Sequence, residues 1–176
     1  NGQWVSDLQL FPHLQSLRIS VPLMTETPLF FKELTNLREL YIIGPNQLNW
    51  AFIENLTNLE FFLISHCNFS DLTPLANLSK KQVAAHEKAK EKSSQTGELI
   101  LFRGLRNLCL NDCEIEDISP LAECPYISDL NLSHNKISDL SPLSKISSLY
   151  YLTLRYNRIS DITPLQNLRR LYYLNL

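Results

Sequence analysis

LYYLTLRYNRISDITPLQNL, residues Leu149–Leu168, is the stretch on which the fold turns. Leu152 and Leu154 alternate with Tyr151, Thr153 and Arg155. A two-residue period over a few positions is the mark of a strand buried on one face. Asn157 follows, where the chain must leave that strand. A buried amide there can bond the backbone of neighbouring turns as donor and as acceptor. Thr163-Pro164 then reads as a helix start, with the hydroxyl capping free N–H groups and Pro in the first helical position. So few residues remain before the next strand that the helix is predicted to be a single 3₁₀ turn.

The same wording recurs upstream. LEFFLISHCNFSDLTPLANL covers Leu59–Leu78, LRNLCLNDCEIEDISPLAEC covers Leu105–Cys124 and ISDLNLSHNKISDLSPLSKI covers Ile127–Ile146. The residue opening each L-x-L pair falls at Leu17, Leu40, Phe62, Leu108, Leu130, Leu152 and Leu174. These gaps are 22 or 23 residues, except one of 46 that holds 24 extra residues. Cys67 and Cys113 stand in the slot of Asn135 and Asn157, where a thiol tolerates burial but bonds more weakly. One such coil cannot bury its own apolar face, whereas stacked coils can, with strands about 4.8 Å apart. The predicted fold is an α/β solenoid: a right-handed superhelix with a parallel concave β-sheet and a convex side of short 3₁₀ turns and loops. Residues 1–176 read as a single repeat domain of about six full coils plus partial coils at both ends, with residues 79–102 as a charged insertion.

The segments Ile115–Leu121, Ile137–Leu143 and Ile159–Leu165 share the wording I-x-D-(I/L)-(S/T)-P-L. This resembles the repeats of bacterial internalins, and the chain looks like a leucine-rich repeat protein of the 22-residue class. The resemblance implies a non-catalytic module that binds a protein ligand on its concave face, within a bacterial surface or secreted adhesion-type protein. Two alternatives stand beside it. One is an intracellular regulatory scaffold resembling the phosphatase-binding leucine-rich repeat proteins, which unpaired thiols favour. The other is the substrate-recognition part of a larger enzyme. Both ends break off inside the repeat pattern, which predicts a piece of a longer array.

Composition narrows the functions. Sixteen Lys+Arg against eighteen Asp+Glu leave a net charge of −2, which argues against nucleic acid and anionic membrane as partners. Hydrophobic residues at 44% suffice for a core, yet no run approaches the roughly 18 apolar residues of a membrane span. Four scattered glycines cannot form a phosphate-cradling loop.

Side chains that alternate with the core leucines face the concave side. Tyr41, Ile43, Phe61 and Leu63 then form one apolar patch on adjacent strands. Tyr151 and Tyr173 stack in one column, with Arg155 and Tyr156 beside them. Exposed aromatics and Arg dominate interface energies, so these eight residues are the candidate anchors for a protein ligand. The competing reading is that the insertion covers the first patch as ordinary core. Within the insertion, Lys80–Glu98 carries five Lys and three Glu. It reads as a short exposed helix, with Ser93–Gly97 a flexible joint, either solvated or a docking handle.

Chemistry was sought in two further places. His66, Asp112 and His134 share a column in successive coils, at a spacing a divalent cation could bridge. A solenoid repeats any column by construction, however, and nothing orients these side chains as ligands. Cys109 lies near His134 and Asp129, the residue types of a thiol nucleophile, but without an oxyanion site. No catalytic residue, metal or cofactor is expected. The N-terminal coils depart from the template. Residues 18–30 do not hold it, Pro22 and Pro45 take the ladder slot, and Trp50 and Phe52 stand where Ile and Pro stand elsewhere. Irregular loops are expected there.

Overall fold

The computed structural model describes residues 10–20, 29–44, 48–97 and 104–176. Seven strands form one parallel sheet in chain order. They are β1 (Ser16–Ser20), β2 (Glu39–Ile43), β3 (Phe61–Ser65), β4 (Asn107–Asn111), β5 (Asp129–Asn131), β6 (Tyr151–Thr153) and β7 (Tyr173–Asn175). The register follows the repeat: Leu40 faces Phe62, Phe62 faces Leu108, and Leu130 faces Leu152. Each pair of strands is joined through the opposite side of the molecule. Four of these connections carry 3₁₀ turns, at Trp50–Asn55, Ser119–Glu123, Ser141–Lys145 and Thr163–Leu165, and a fifth turn lies at Leu29–Glu33. The architecture is the expected leucine-rich-repeat solenoid.

One continuous core runs between sheet and turns, from Leu17 to Leu168. Leu40, Ile42, Phe62, Ile64, Leu110 and Leu152 are fully enclosed, while their sequence neighbours alternate outward. Burial of such a side chain is worth about 1.5–3 kcal/mol, and strand after strand repeats it.

The ladder slot behaves as one device throughout. Asn135 Nδ2 donates to the carbonyls of Leu110, Leu132 and Ser133, and its Oδ1 accepts from the Cys113 and Ile115 N–H groups. Asn157 repeats the pattern one coil on, toward Leu132, Leu154 and the Ile137 N–H. Cys67 reaches the Gly44 carbonyl at 3.1 Å and that of Ser65 at 3.3 Å, and Cys113 reaches Asn111 at 3.1 Å. A thiol copies the donor half of the amide, and Cys113 also accepts from the Cys67 N–H, though sulfur bonds more weakly than an amide. Immediately before this slot the chain is left-handed in four of the described coils: His66, Asp112, His134 and Tyr156 have φ of 54–59°. Gly44 holds the equivalent place at φ 118°.

Three expectations need correction. The turns are capped by an acid rather than by the Ser or Thr. Asp71, Asp117, Asp139 and Asp161 each accept the N–H two residues on, at 2.7–2.9 Å, and Asn49 does the same for Ala51. A carboxylate reaches that N–H while its own backbone is still extended, so it outcompetes the hydroxyl. Second, the N-terminal coils are regular where described. Leu17 and Ile19 lie buried in β1, and Trp50–Asn55 forms an ordered turn with Trp50, Phe52 and Ile53 inside. Pro22 and Pro45 lie outside the described residues.

Third, the insertion is no short exposed helix. Helix α1 spans Thr73–Thr96 and begins at the Thr-Pro pair that opens a 3₁₀ turn elsewhere. Its first turns stack between the turns at Trp50–Asn55 and Ser119–Glu123, burying Leu75, Leu78, Ser79 and Gln82. Gln82 donates to the Thr57 and Leu59 carbonyls and accepts from the Leu105 N–H. One amide thus replaces the backbone bridge of the interrupted repeat. Ser93–Thr96 stays helical, and Gly97 closes the helix in the left-handed conformation. The side chains beyond Gln82 are mostly exposed.

Candidate functional site

The outward side chains of the sheet form two groups separated by a polar band. At the first, Tyr41 stacks on Phe61 with ring centroids 4.8 Å apart. Leu63 lies beside Tyr41 in register and Ile43 at the end of the same strand. Tyr41, Phe61 and Leu63 are half-buried by one another and Ile43 is exposed. Arg18, one strand away, places its guanidinium 4.4 Å over the Tyr41 ring. Helix α1 packs against the turns on the other side, so it does not cover this patch. All four expected residues are brought together, and Arg18 joins them. Long side chains lie flat over aromatics because the stem is apolar and the head stays wet.

The second group divides in two. Tyr151 and Tyr173 face each other in register, 5.9 Å between centroids and 41% and 44% exposed. Tyr150 and Tyr172 extend them: Tyr150 meets Tyr151 edge-on at 4.9 Å and stacks on Tyr172 at 5.1 Å with an interplanar angle of 8°. Arg155 and Tyr156 are not part of this cluster. They lie past the other end of β6, where Tyr156 stacks on His134 at 4.2 Å and the Arg155 guanidinium sits 5.2 Å from the Tyr156 ring. The left-handed backbone at Tyr156 re-aims its ring along the column of preceding coils. A bulky residue there is costly, and the two contacts offset that cost.

Sequence reasoning missed Tyr150 and Tyr172. The signal was present as Tyr doublets at 150–151 and 172–173, one repeat apart. The strand template assigns faces only inside the strand, and these two residues precede it.

The polar band between the groups contains Asn107, Cys109, Asn111, Asp129 and Asn131. Cys109 has Asn111 and Asn131 as its side-chain hydrogen-bonding partners, and burial pushes its thiol pKa up. Neither neighbour is a base, and His134 lies against Tyr156 instead. Burial pushes Cys113 and Cys124 up to about 12, Cys113 further by its neighbour Cys67. Such thiols stay protonated and unreactive near neutral pH. All four cysteines are thiols rather than halves of a disulfide.

The histidine column sets two imidazoles on either side of one carboxylate. His66 Nε2 lies 3.8 Å from Asp112 Oδ2, and His134 Nδ1 lies 3.8 Å from Asp112 Oδ1. The Ser65 hydroxyl lies 2.7 Å from His66 Nδ1. Among the described residues, no group of three His, Cys, Asp or Glu side chains is placed to hold a metal ion.

With this geometry in hand, known proteins can be compared. Residues 103–145 match the family model of leucine-rich repeats in two copies. An internalin (inlF) from Listeria monocytogenes is similar in fold, with a TM-score of 0.65 and 24% identity over 98% of this chain and 50% of that one. Internalin C2 of the same organism is similar with a TM-score of 0.52 and 24% identity, covering 96% of this chain and 83% of that one. No curated protein matches the chain in sequence. The chain therefore spans half the length of the first of these internalins. The chain shares the solenoid fold of these internalins, and residues 103–145 carry the leucine-rich repeat pattern. No helix among the described residues is long and apolar enough to cross a membrane.

Proposed function

We propose that this chain is a non-catalytic protein–protein interaction module that holds a protein ligand on the exposed face of its sheet. Residues 1–176 act as one repeat domain, with 79–102 an insertion whose helical part continues the helix that packs on the turn side. The anchors are Tyr41, Ile43, Phe61 and Leu63 at one end, and Tyr151, Tyr173, Arg155 and Tyr156 at the other. The leucine-rich repeat match supports an interaction module. The observation that carries this reading is that two aromatic groups stay uncovered on one face of a sheet whose other face is fully packed. An ordered sheet has little conformational entropy left to lose on binding.

A bacterial surface or secreted adhesion-type protein fits the internalin-like wording of the turns. The four thiols, none of them in a disulfide, favour the second reading, an intracellular regulatory scaffold. Surface labelling of intact cells against lysed cells separates the two.

The test is an affinity measurement with a captured and purified protein ligand. Tyr41→Ala with Phe61→Ala, and separately Tyr151→Ala with Tyr173→Ala, should each weaken it by at least about tenfold. Lys88→Ala on the outer part of α1 should leave it unchanged. If both double variants bind as the parent does, the sheet face is not the binding face.

A further inference from the structure

The rim of the sheet beside β6 and β7 carries a feature separate from the sheet-face anchors. Tyr150 and Tyr172 precede their strands and line a groove together with Arg169 and Arg170. The two rings are nearly parallel, and Tyr172 is 72% exposed. The backbone of the groove floor is occupied. The Tyr172 and Tyr173 N–H groups donate to the Tyr150 carbonyl, and those of Tyr150 and Tyr151 to that of Ser128. The Ser148 hydroxyl is turned inward to the Pro125 and Ile127 carbonyls. The Ser128 hydroxyl is turned to the Asp129 carboxylate, which leaves the rings, the Leu171 side chain and the guanidinium groups to meet a ligand.

Charge marks what kind of ligand. Residues 145–176 hold Lys145, Arg155, Arg158, Arg169 and Arg170 against the single acid Asp161, a net +4. The chain as a whole is −2, so residues 1–144 carry −6. Both Arg169 and Arg170 are exposed, and among the described residues no carboxylate lies within 4 Å of either guanidinium. Of these cations Arg169 and Arg170 line the groove, and such an adjacent pair on an acidic molecule selects a short anionic segment. A long polyanion or an anionic bilayer would also meet the acidic remainder and be repelled. Guanidinium groups engage carboxylates in a forked geometry, and the ring pair offers a flat apolar seat for a side chain between two acids.

We propose that this tyrosine–arginine rim is a docking site for a short acidic peptide segment of a partner protein, distinct from the sheet-face anchors.

The experiment uses a fluorescein-labelled twelve-residue peptide of alternating Glu and Leu, its Gln–Leu counterpart, and the whole chain, read by fluorescence anisotropy. The Glu peptide should bind at least about tenfold more tightly than the Gln peptide, and the difference should shrink at high salt. Arg169→Ala with Arg170→Ala, and separately Tyr172→Ala, should each weaken the Glu peptide about tenfold, whereas Tyr41→Ala with Phe61→Ala should leave it unchanged. All three are surface positions, and circular dichroism confirms the fold of each variant. Equal binding of the two peptides, or unchanged binding to the rim variants, overturns the proposal. So does tighter, rim-dependent binding of a twelve-nucleotide DNA strand or of phosphatidylserine vesicles. Loss of self-association in the arginine variant with no peptide effect would assign the rim to a second copy of the chain and overturn it as well. Because the Tyr41 and Phe61 pair is tested on the same peptide, failure here is separable from failure of the sheet-face reading.

Discussion

Before helix α1 the interior of the solenoid mixes aromatic rings with aliphatic side chains, and after it the interior is aliphatic. Phe31 stacks on Phe52 at 4.7 Å, and Trp50 meets Phe69 edge-on at 4.8 Å and Phe62 at 6.3 Å. From β4 onward the buried side chains are Leu, Ile and Cys, with Ser133 and Asn135 the buried polar residues. The ladder slot changes one coil later, from Cys67 and Cys113 to Asn135 and Asn157. A coil needs inward apolar volume and a group that satisfies its turning backbone, and the two needs can be met independently. The first half leans on ring packing, where each pair adds about 0.5–1.5 kcal/mol beyond its buried area. The second half leans on buried amides, each holding up to five bonds.

That contrast yields its sharpest test at the ring cluster. Phe62→Ala should lower the urea unfolding free energy by about 4 kcal/mol, because it empties a fully enclosed site touched by two other rings. Leu130→Ala, the aliphatic equivalent in β5, should cost about 3 kcal/mol. Equal costs would erase the proposed difference between the halves.

The next largest effect belongs to the amides. Asn135→Ala leaves the buried Cys113 and Ile115 N–H groups without an acceptor, and should cost about 3 kcal/mol in the same unfolding experiment. Cys67→Ala, which removes only thiol donors, should cost about 1 kcal/mol. A cost for Cys67→Ala matching that of Asn135→Ala would show that the thiol does the whole work of the amide.

Helix α1 lies at the boundary and gives a smaller contrast within itself. Gln82→Ala strands the Leu105 N–H and should cost about 2 kcal/mol. Replacing residues 88–96 by a short flexible link should change stability by less than about 0.5 kcal/mol, since that part touches little.

The smallest effect is acid sensitivity, and it should be shared by both halves. Hydrogen bonds from the Thr73, Ser141 and Thr163 side chains, then from their backbone N–H groups, hold the Asp71, Asp139 and Asp161 carboxyls below the ordinary carboxylate value. A carboxyl that is more acidic in the folded than in the unfolded chain stabilises fully above its unfolded pKa. That contribution fades as pH falls through the folded value. Stability should thus start to drop below about pH 5 and keep falling until the pH has passed the lowered folded value. Asp139→Asn keeps an acceptor that cannot titrate and should flatten its share of that slope. An unchanged slope would mean that the turn caps are not the titrating groups.

The outward columns were readable from residues alone because alternation is local. A residue at 41, 61 or 151 points out as long as its strand exists. The ladder was readable for the same reason, since Asn135 and Asn157 bond mainly to their own coil and the one before. The Asp caps were misread because Ser or Thr and Asp are both good acceptors near a turn, and only the actual backbone path selects between them. Tyr150 and Tyr172 escaped because no periodic rule assigns a face just outside a strand. Gln82 escaped because it lies in the insertion and has no counterpart in the repeat template, although its partners are only 23–25 residues away.

A 22-residue period with inward aliphatics was enough to dictate parallel stacking, since no other arrangement buries every copy of the same face. Which surface a helix would occupy, which tyrosines would touch and which carboxylate would cap were left to packing. Those outcomes rest on single contacts between different coils, and a contact made once leaves no periodic trace in the chain.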